Sequence, residues 1–204
     1  VEKDWDYLRV DSLPVQSSYT LGIIVSTPQG AFALDVRNKA YVRSTSERAV
    51  VEQVWSGFSL SRAELLGMLT GRVQSTTCRD AIVMQPDDGK GGYLLSELSS
   101  ESLWDIGPDL TVRRAVIRGD RSPAFPLYVT LHRTDEKDPT PTTIKITSPS
   151  TEVTLDLLVQ RVKVNEPVRQ ETFEPAIPSD YRHVLLGEES LGPVPEMSGV
   201  LGHK

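Results

Sequence analysis

Residues 19–36 read Tyr-Thr-Leu-Gly-Ile-Ile-Val-Ser-Thr-Pro-Gln-Gly-Ala-Phe-Ala-Leu-Asp-Val. Leu21, Ile23 and Val25 recur at every second position of the first half, and Phe32, Leu34 and Val36 do so in the second. A period of two marks strands with one buried face. Between them Thr27-Pro28-Gln29-Gly30 puts Pro at the second and Gly at the fourth place of a tight reversal. The stretch therefore predicts an antiparallel hairpin, Tyr19–Ser26 against Ala31–Val36. A short strand over Trp5–Val10 is expected before it and one over Lys39–Arg43 after it.

From Ser44 to Arg72 the period becomes helical, with Val50, Val51, Val54, Trp55 and Phe58 on one stripe and Glu47, Arg48, Glu52 and Gln53 on the other. Ser44-x-x-Glu47 and Ser61-x-x-Glu64 both fit a capping box, so two helices are predicted, starting near residues 45 and 62 and stopping at Gly57 and Gly71. Leu65, Leu66, Met68 and Leu69 give the second helix an apolar load that must be buried.

Strand patterns return over Asp80–Met84, Gly92–Leu98, Ser102–Ile106, Thr111–Arg118, Phe125–Arg133, Thr142–Thr147 and Glu152–Val164. They are separated by Asp87-Asp88-Gly89, Gly107-Pro108-Asp109, Arg118-Gly119-Asp120 and the Asp/Pro-rich Thr134–Pro141, all of turn-forming type. In Glu152–Val164 the apolar parity switches, from Val153, Leu155, Leu157 and Val159 to Leu158, Val162 and Val164, which predicts a long strand bent by a bulge. About 11 strands with one block of helices indicate an α+β fold built on a curved antiparallel sheet. Residues 1–186 read as one domain. Residues 187–204, with Gly187, Gly192, Gly199, Gly202, Pro193 and Pro195 and no period, read as an extended or disordered tail.

Composition narrows the function. The 204 residues carry 22 Lys+Arg against 28 Asp+Glu, a formal net charge of −6. Without a basic cluster the chain lacks the electrostatic footprint of a nucleic-acid binder. No run approaches the ~20 apolar residues of a helical membrane span. Val1 follows no initiator Met or signal-like run, so any targeting segment is expected to have been removed or omitted. The single Cys78 forms no internal disulfide.

Catalytic and metal chemistry find little footing. Cys78, His132 and His183 lie in separate segments, and no motif joins them into a nucleophile and its base. His132 falls on the polar parity of a strand, opposite Leu127, Val129 and Leu131. The His and Cys spacings do not suit zinc, and Asp87-Asp88-Gly89 lacks the rest of a calcium loop. Gly89-Lys90-Gly91-Gly92 lacks the Ser/Thr and helix of a phosphate loop. The expectation is a non-enzyme with no metal or cofactor.

One resemblance fits this layout. A sheet interrupted by a helical pair ending in Leu65-Leu66-Gly67-Met68-Leu69-Thr70-Gly71 resembles the bacterial lipoprotein-localisation family, the periplasmic carrier LolA and the outer-membrane receptor LolB. Pro141-x-x-Ile144-x-Ile146, the following amphipathic strand, Asn165-Glu166-Pro167 and Phe173-Glu174-Pro175-Ala176-Ile177-Pro178 look like the ending of the LolB-type branch. The resemblance runs from about Tyr19 to Leu185. It departs from the receptor type in lacking the lipidated N-terminal Cys and a recognisable protruding apolar loop. Carrier and receptor roles both stay open.

The resemblance implies an unclosed β-barrel of about 11 strands whose concave face is covered by the helices and holds acyl chains. The lining expected here is Leu21, Ile23, Phe32, Leu34, Leu127, Val129, Leu155 and Leu157 from the sheet with Trp55, Phe58, Leu65 and Leu69 from the helices. It further implies lipoprotein or lipid acyl chains as partners, and a place in the periplasm or at the inner face of the outer membrane. The alternative keeps the fold and drops the ligand, leaving an envelope scaffold or sensor with a filled core that binds another protein.

Overall fold

The computed structural model describes residues 7–12, 22–55, 58–73, 80–85, 91–98, 102–118, 126–135, 138–159 and 169–186. The strands begin with β1 (Leu8–Ser12), β2 (Gly22–Thr27), β3 (Gly30–Asp35) and β4 (Ala40–Ser44). Helices α1 (Glu47–Val54) and α2 (Arg62–Thr70) follow. A meander then runs through β5 (Ala81–Met84), β6 (Tyr93–Glu97), β7 (Leu103–Ile106), β8 (Val112–Ile117), β9 (Leu127–His132), β10 (Thr143–Ser148) and β11 (Val153–Leu158). A 3-10 turn, Gln170–Phe173, and the two-residue β12 (Arg182–His183) close the described chain.

The fold is α+β, with hairpins in series as the turn chemistry predicts, and the Thr27–Gly30 reversal joins β2 to β3. The single curved sheet of about 11 strands is corrected. The described residues form two open sheets, a five-stranded one ordered β1-β2-β3-β4-β12 and a seven-stranded one ordered β11-β10-β9-β8-β7-β6-β5. The cause lies at the edge of β4. There β12 pairs in parallel, Arg182 opposite Ala40 and His183 opposite Tyr41, so that edge is taken. Among the described residues, strand β5, arriving after the helices, pairs with β6 and starts a second sheet.

The helix starts divide between the two capping boxes. At α2 the box is complete, since Ser61 Oγ accepts from Glu64 N–H and the Glu64 carboxylate accepts from Ser61 N–H at 2.8 Å. At α1 the cap is Ser46, not Ser44, because Ser44 is the last residue of β4 and its hydroxyl accepts from Ser46 N–H. Gly71 stops α2 in the left-handed conformation, φ 65°, as expected, whereas Gly57 lies outside the described residues.

Of the long bent strand expected over Glu152–Val164, the described residues test only the first part. Strand β11 spans Val153–Leu158, and residues 160–164 lie outside the described residues. The same holds for Trp5, for Tyr19–Leu21, for the Asp87-Asp88-Gly89 and Gly119-Asp120 turns, for Asn165-Glu166-Pro167 and for residues 187–204.

Candidate functional site

The main apolar cluster lies between the helices and the inner faces of both sheets. From α1 and α2 and the segment between them it takes Val50, Val51, Trp55, Phe58, Leu60, Leu65, Leu66 and Met68. From the seven-stranded sheet come Leu95, Trp104, Ala115, Leu127, Val129, Ile144 and Ile146, among others. Cross-strand register sets the order on that face, running Leu95, Trp104, Ala115, Val129, Ile146, Leu155 from β6 to β11. Leu69, Leu155 and Leu157 are among the partly buried apolar residues that form its rim, with Val54, Ile106 and Val159. The expected lining residues Trp55, Phe58, Leu65, Leu69, Leu127, Val129, Leu155 and Leu157 thus meet in one cluster.

Ile23, Phe32 and Leu34 do not join them, and their expected place under the helices is corrected. The helix-facing side of the five-stranded sheet carries Ile24, Ala31, Ala33 and Val42, which belong to the main cluster. It also carries Gly22, where a Cβ would sit 3.4 Å from Val54 Cγ1, so the small residues let α1 lie close. Ile23, Val25, Phe32 and Leu34 point the other way, into a second cluster closed by Phe173, Ile177 and Tyr181. This covering segment is tied down by Arg9 Nη1, which donates to Thr172 O at 2.7 Å, by Tyr7 against Phe173, and by the exposed Lys39–Asp180 ion pair. Leu21 lies outside the described residues.

A polar clamp joins the N-terminal ends of α1 and α2. Glu47, expected to cap its own helix, instead accepts from Arg62 N–H at the start of α2 at 3.1 Å and from Ser26 Oγ of β2 at 2.6 Å. Arg48 reaches across to Glu64, Nη2 to Oε1 at 2.7 Å, and donates from Nη1 to Ser59 O. Glu64 is 1 % exposed. Burial pushes its carboxyl up from the ordinary value, against the opposing pull of the Arg48 guanidinium and the Ser61 donors. These residues fix the helical cover to β2 and the two helices to each other.

A second polar knot holds the β7–β8 turn. The Asp109 carboxylate accepts from Thr111 Oγ1 at 2.7 Å and from Arg133 Nη1 at 2.9 Å. Desolvation opposes its ionisation, but the Thr111 and Arg133 donors outweigh it and hold the pKa at about 2, below the usual 3.8. A depressed carboxylate pKa gives stability that is complete above the unfolded value and is lost as pH falls through the folded one. Wild type should therefore exceed Asp109→Asn in urea midpoint by a constant margin above pH ~5, and the margin should shrink between pH ~4 and ~2. An unchanged margin at pH ~2 would contradict the assignment.

Of the other sequence candidates, His132 and His183 stand on different sheets. His132 is exposed on β9, as expected, and His183 is exposed on β12 with its ring stacked on Tyr41. Cys78 lies outside the described residues. Among the described residues, no group of three or more His, Cys, Asp or Glu side chains is placed to hold a metal ion. Also among the described residues, no helix is long and apolar enough to cross a membrane.

Trp104 was not among the expected lining residues, yet it is the largest side chain in the fully buried set, 1 % exposed. A Cβ on Gly67 of α2 would lie 3.3 Å from its Cη2, so helix and ring are in close approach. Its sequence signal was the alternation Leu103-Trp104-Asp105-Ile106, in which Trp104 opposes Leu103. Compared with family models, curated proteins and solved structures, the chain matches none.

Proposed function

We propose that this protein binds acyl chains of lipids or lipoproteins between its helical pair and the inner face of the seven-stranded sheet, as a carrier or receptor in the bacterial cell envelope. One observation carries the reading. A continuous apolar cluster joins the helices to an open sheet and has a half-buried rim that includes Leu69, Leu155 and Leu157. A methylene moved from water into such a cluster gains about 0.8 kcal/mol, so partial enclosure of one chain is enough to extract a lipid reversibly. The resemblance to the LolA/LolB family, with its unclosed barrel, points the same way.

The test is displacement of an environment-sensitive dye by an acylated peptide. Leu69→Lys and Leu157→Lys place a charge at the rim, where a snorkelling head reaches water and the fold survives. Each should weaken displacement at least tenfold. Ile177→Ala, on the covering segment of the opposite face, should leave it unchanged. Uptake undiminished in both rim variants would sink the proposal. Leu65 and Leu34, 2 % and 5 % exposed, are poor sites for this test because a buried charge there unfolds the protein.

A filled core is the second reading, favoured by the burial of Leu60, Ile117, Ile144 and Ile146, each 0 % exposed. It makes the protein an envelope scaffold. Native mass spectrometry separates the two, since a clean apo mass together with no dye uptake supports the scaffold.

A further inference from the structure

We propose that Trp104 is the polar anchor of the interior site, its indole N–H donating to the carbonyl oxygen of an acyl ester or amide. The inference rests on the acyl-binding reading and adds the chemical class of ligand to it.

Among the described residues the Nε1–H of Trp104 is buried with no hydrogen-bond partner. Buried indole N–H groups normally find an acceptor, and a desolvated donor without one is costly. Indole nitrogen only donates, so what completes it is an acceptor. Two buried hydroxyls near this strand are already engaged. Ser102 Oγ accepts from Arg118 N–H, and Thr111 Oγ1 donates to Asp109.

Position decides which acceptor. Trp104 sits in the inner-face row between Leu95 and Ala115, in line with Val129, Ile146 and the rim residue Leu155. Its benzo edge faces Gly67 of α2, so the ring lies where the cover meets the sheet. A ligand entering here meets apolar side chains with a donor among them. Plain hydrocarbon leaves that donor unsatisfied, whereas the carbonyl of an ester- or amide-linked acyl chain satisfies it and brings no donor of its own.

The experiment uses the full chain and two probes, monopalmitoylglycerol and its hexadecyl ether, which share the apolar tail and glycerol head but differ in the carbonyl. In dye displacement the wild type should bind the ester about three- to tenfold more tightly than the ether, the range of one hydrogen bond. Trp104→Phe should erase that preference, bringing its ester and ether affinities to one value. In a nitrogen–proton correlation spectrum the chain's three indole N–H signals resolve, and the Trp104 signal should move downfield with ester and not with ether. This titration uses wild type, so it stands even where the variant fails to fold.

Equal affinity of wild type for both probes, or a preference retained in Trp104→Phe, overturns the inference while leaving acyl binding intact. So does an indole signal that already exchanges magnetisation with a bound water and does not respond to ester, since the donor is then satisfied by structural water. Displacement by neither probe removes the acyl-binding reading, and the inference with it.

Discussion

Replacing Arg48 with Met is expected to cost about 3–5 kcal/mol of unfolding free energy at pH 7, and most of that loss should vanish near pH ~4. The Arg48 side chain is 14 % exposed and that of Glu64 2 %. Removing the guanidinium leaves the Glu64 carboxyl in the core with only the Ser61 donors to offset the cost of ionising it. The cost of that uncompensated charge far exceeds the net worth of the pair. The sign of the pH dependence follows from burial. Glu64 has a raised folded pKa already, and losing Arg48 raises it further. Below the unfolded carboxyl value both states are protonated and the penalty is absent. As pH rises from there toward the folded pKa, the unfolded state loses its proton first and stability falls.

Two controls make this specific. Arg48→Met with Glu64→Gln should recover most of the loss at pH 7, because the amide oxygen still accepts from Ser61 N–H and no charge is buried. Arg48→Lys should recover only part, since an ammonium cannot hold Glu64 and Ser59 O together as the planar fork does. Urea denaturation of the set at pH ~4 and pH 7 measures each term. A loss in Arg48→Met that is the same at both pH values would show that packing of the Arg stem, not charge, dominates.

Much of the architecture was legible because it is written locally. The β2–β3 hairpin follows from Thr27-Pro28-Gln29-Gly30, and the start and stop of α2 from Ser61, Glu64 and Gly71, each a matter of residues within a turn of one another. What failed was long-range. Alternation of Leu21, Ile23 and Val25 identifies a strand but not which face meets the helices, since both faces of β2 and β3 are buried. The deciding feature was the opposite parity, where Gly22, Ala31 and Ala33 admit α1, and small residues carry little hydrophobic signal. Likewise, Arg182–His183 is too short to announce itself, yet its pairing with β4 divides one expected sheet into two.

The candidate site shows the same split. Trp55, Phe58, Leu65, Leu127 and Val129 were found from apolar periodicity, and they meet. Glu47 and Glu64 have the same sequence signature, a Ser three residues before, but only Glu64 caps its own helix. Glu47 turns instead to Arg62 and Ser26, residues 15 and 21 positions away, a choice that depends on how α1 meets α2 and β2.

Gly71→Ala is expected to lower stability by about 2–4 kcal/mol, among the larger effects of a single methyl. The left-handed backbone at φ 65° accounts for about 1–2 kcal/mol with any Cβ. The remainder is steric, because an ideal Cβ there runs into the Pro139 carbonyl oxygen, a backbone atom that cannot rotate away. Relief requires moving either the end of α2 or the loop at Pro139–Pro141. The first move is resisted by Arg72 N–H, which donates to Gly67 O, and by Val112 N–H, which donates to Gly71 O at 2.8 Å and fastens the helix end to β8. Gly67→Ala provides the contrast. Its Cβ would meet Arg72 O and Trp104 Cη2 at 3.3 Å each, a contact that shifts of a few tenths of an ångström relieve, and Ala favours helix by about 1 kcal/mol. Gly71→Ala should therefore be the more damaging of the two by more than 2 kcal/mol in urea denaturation. Near-equal losses would mean that the Pro139–Pro141 loop yields freely, and that α2 is not held at its C-terminal end as its clamp holds it at the other.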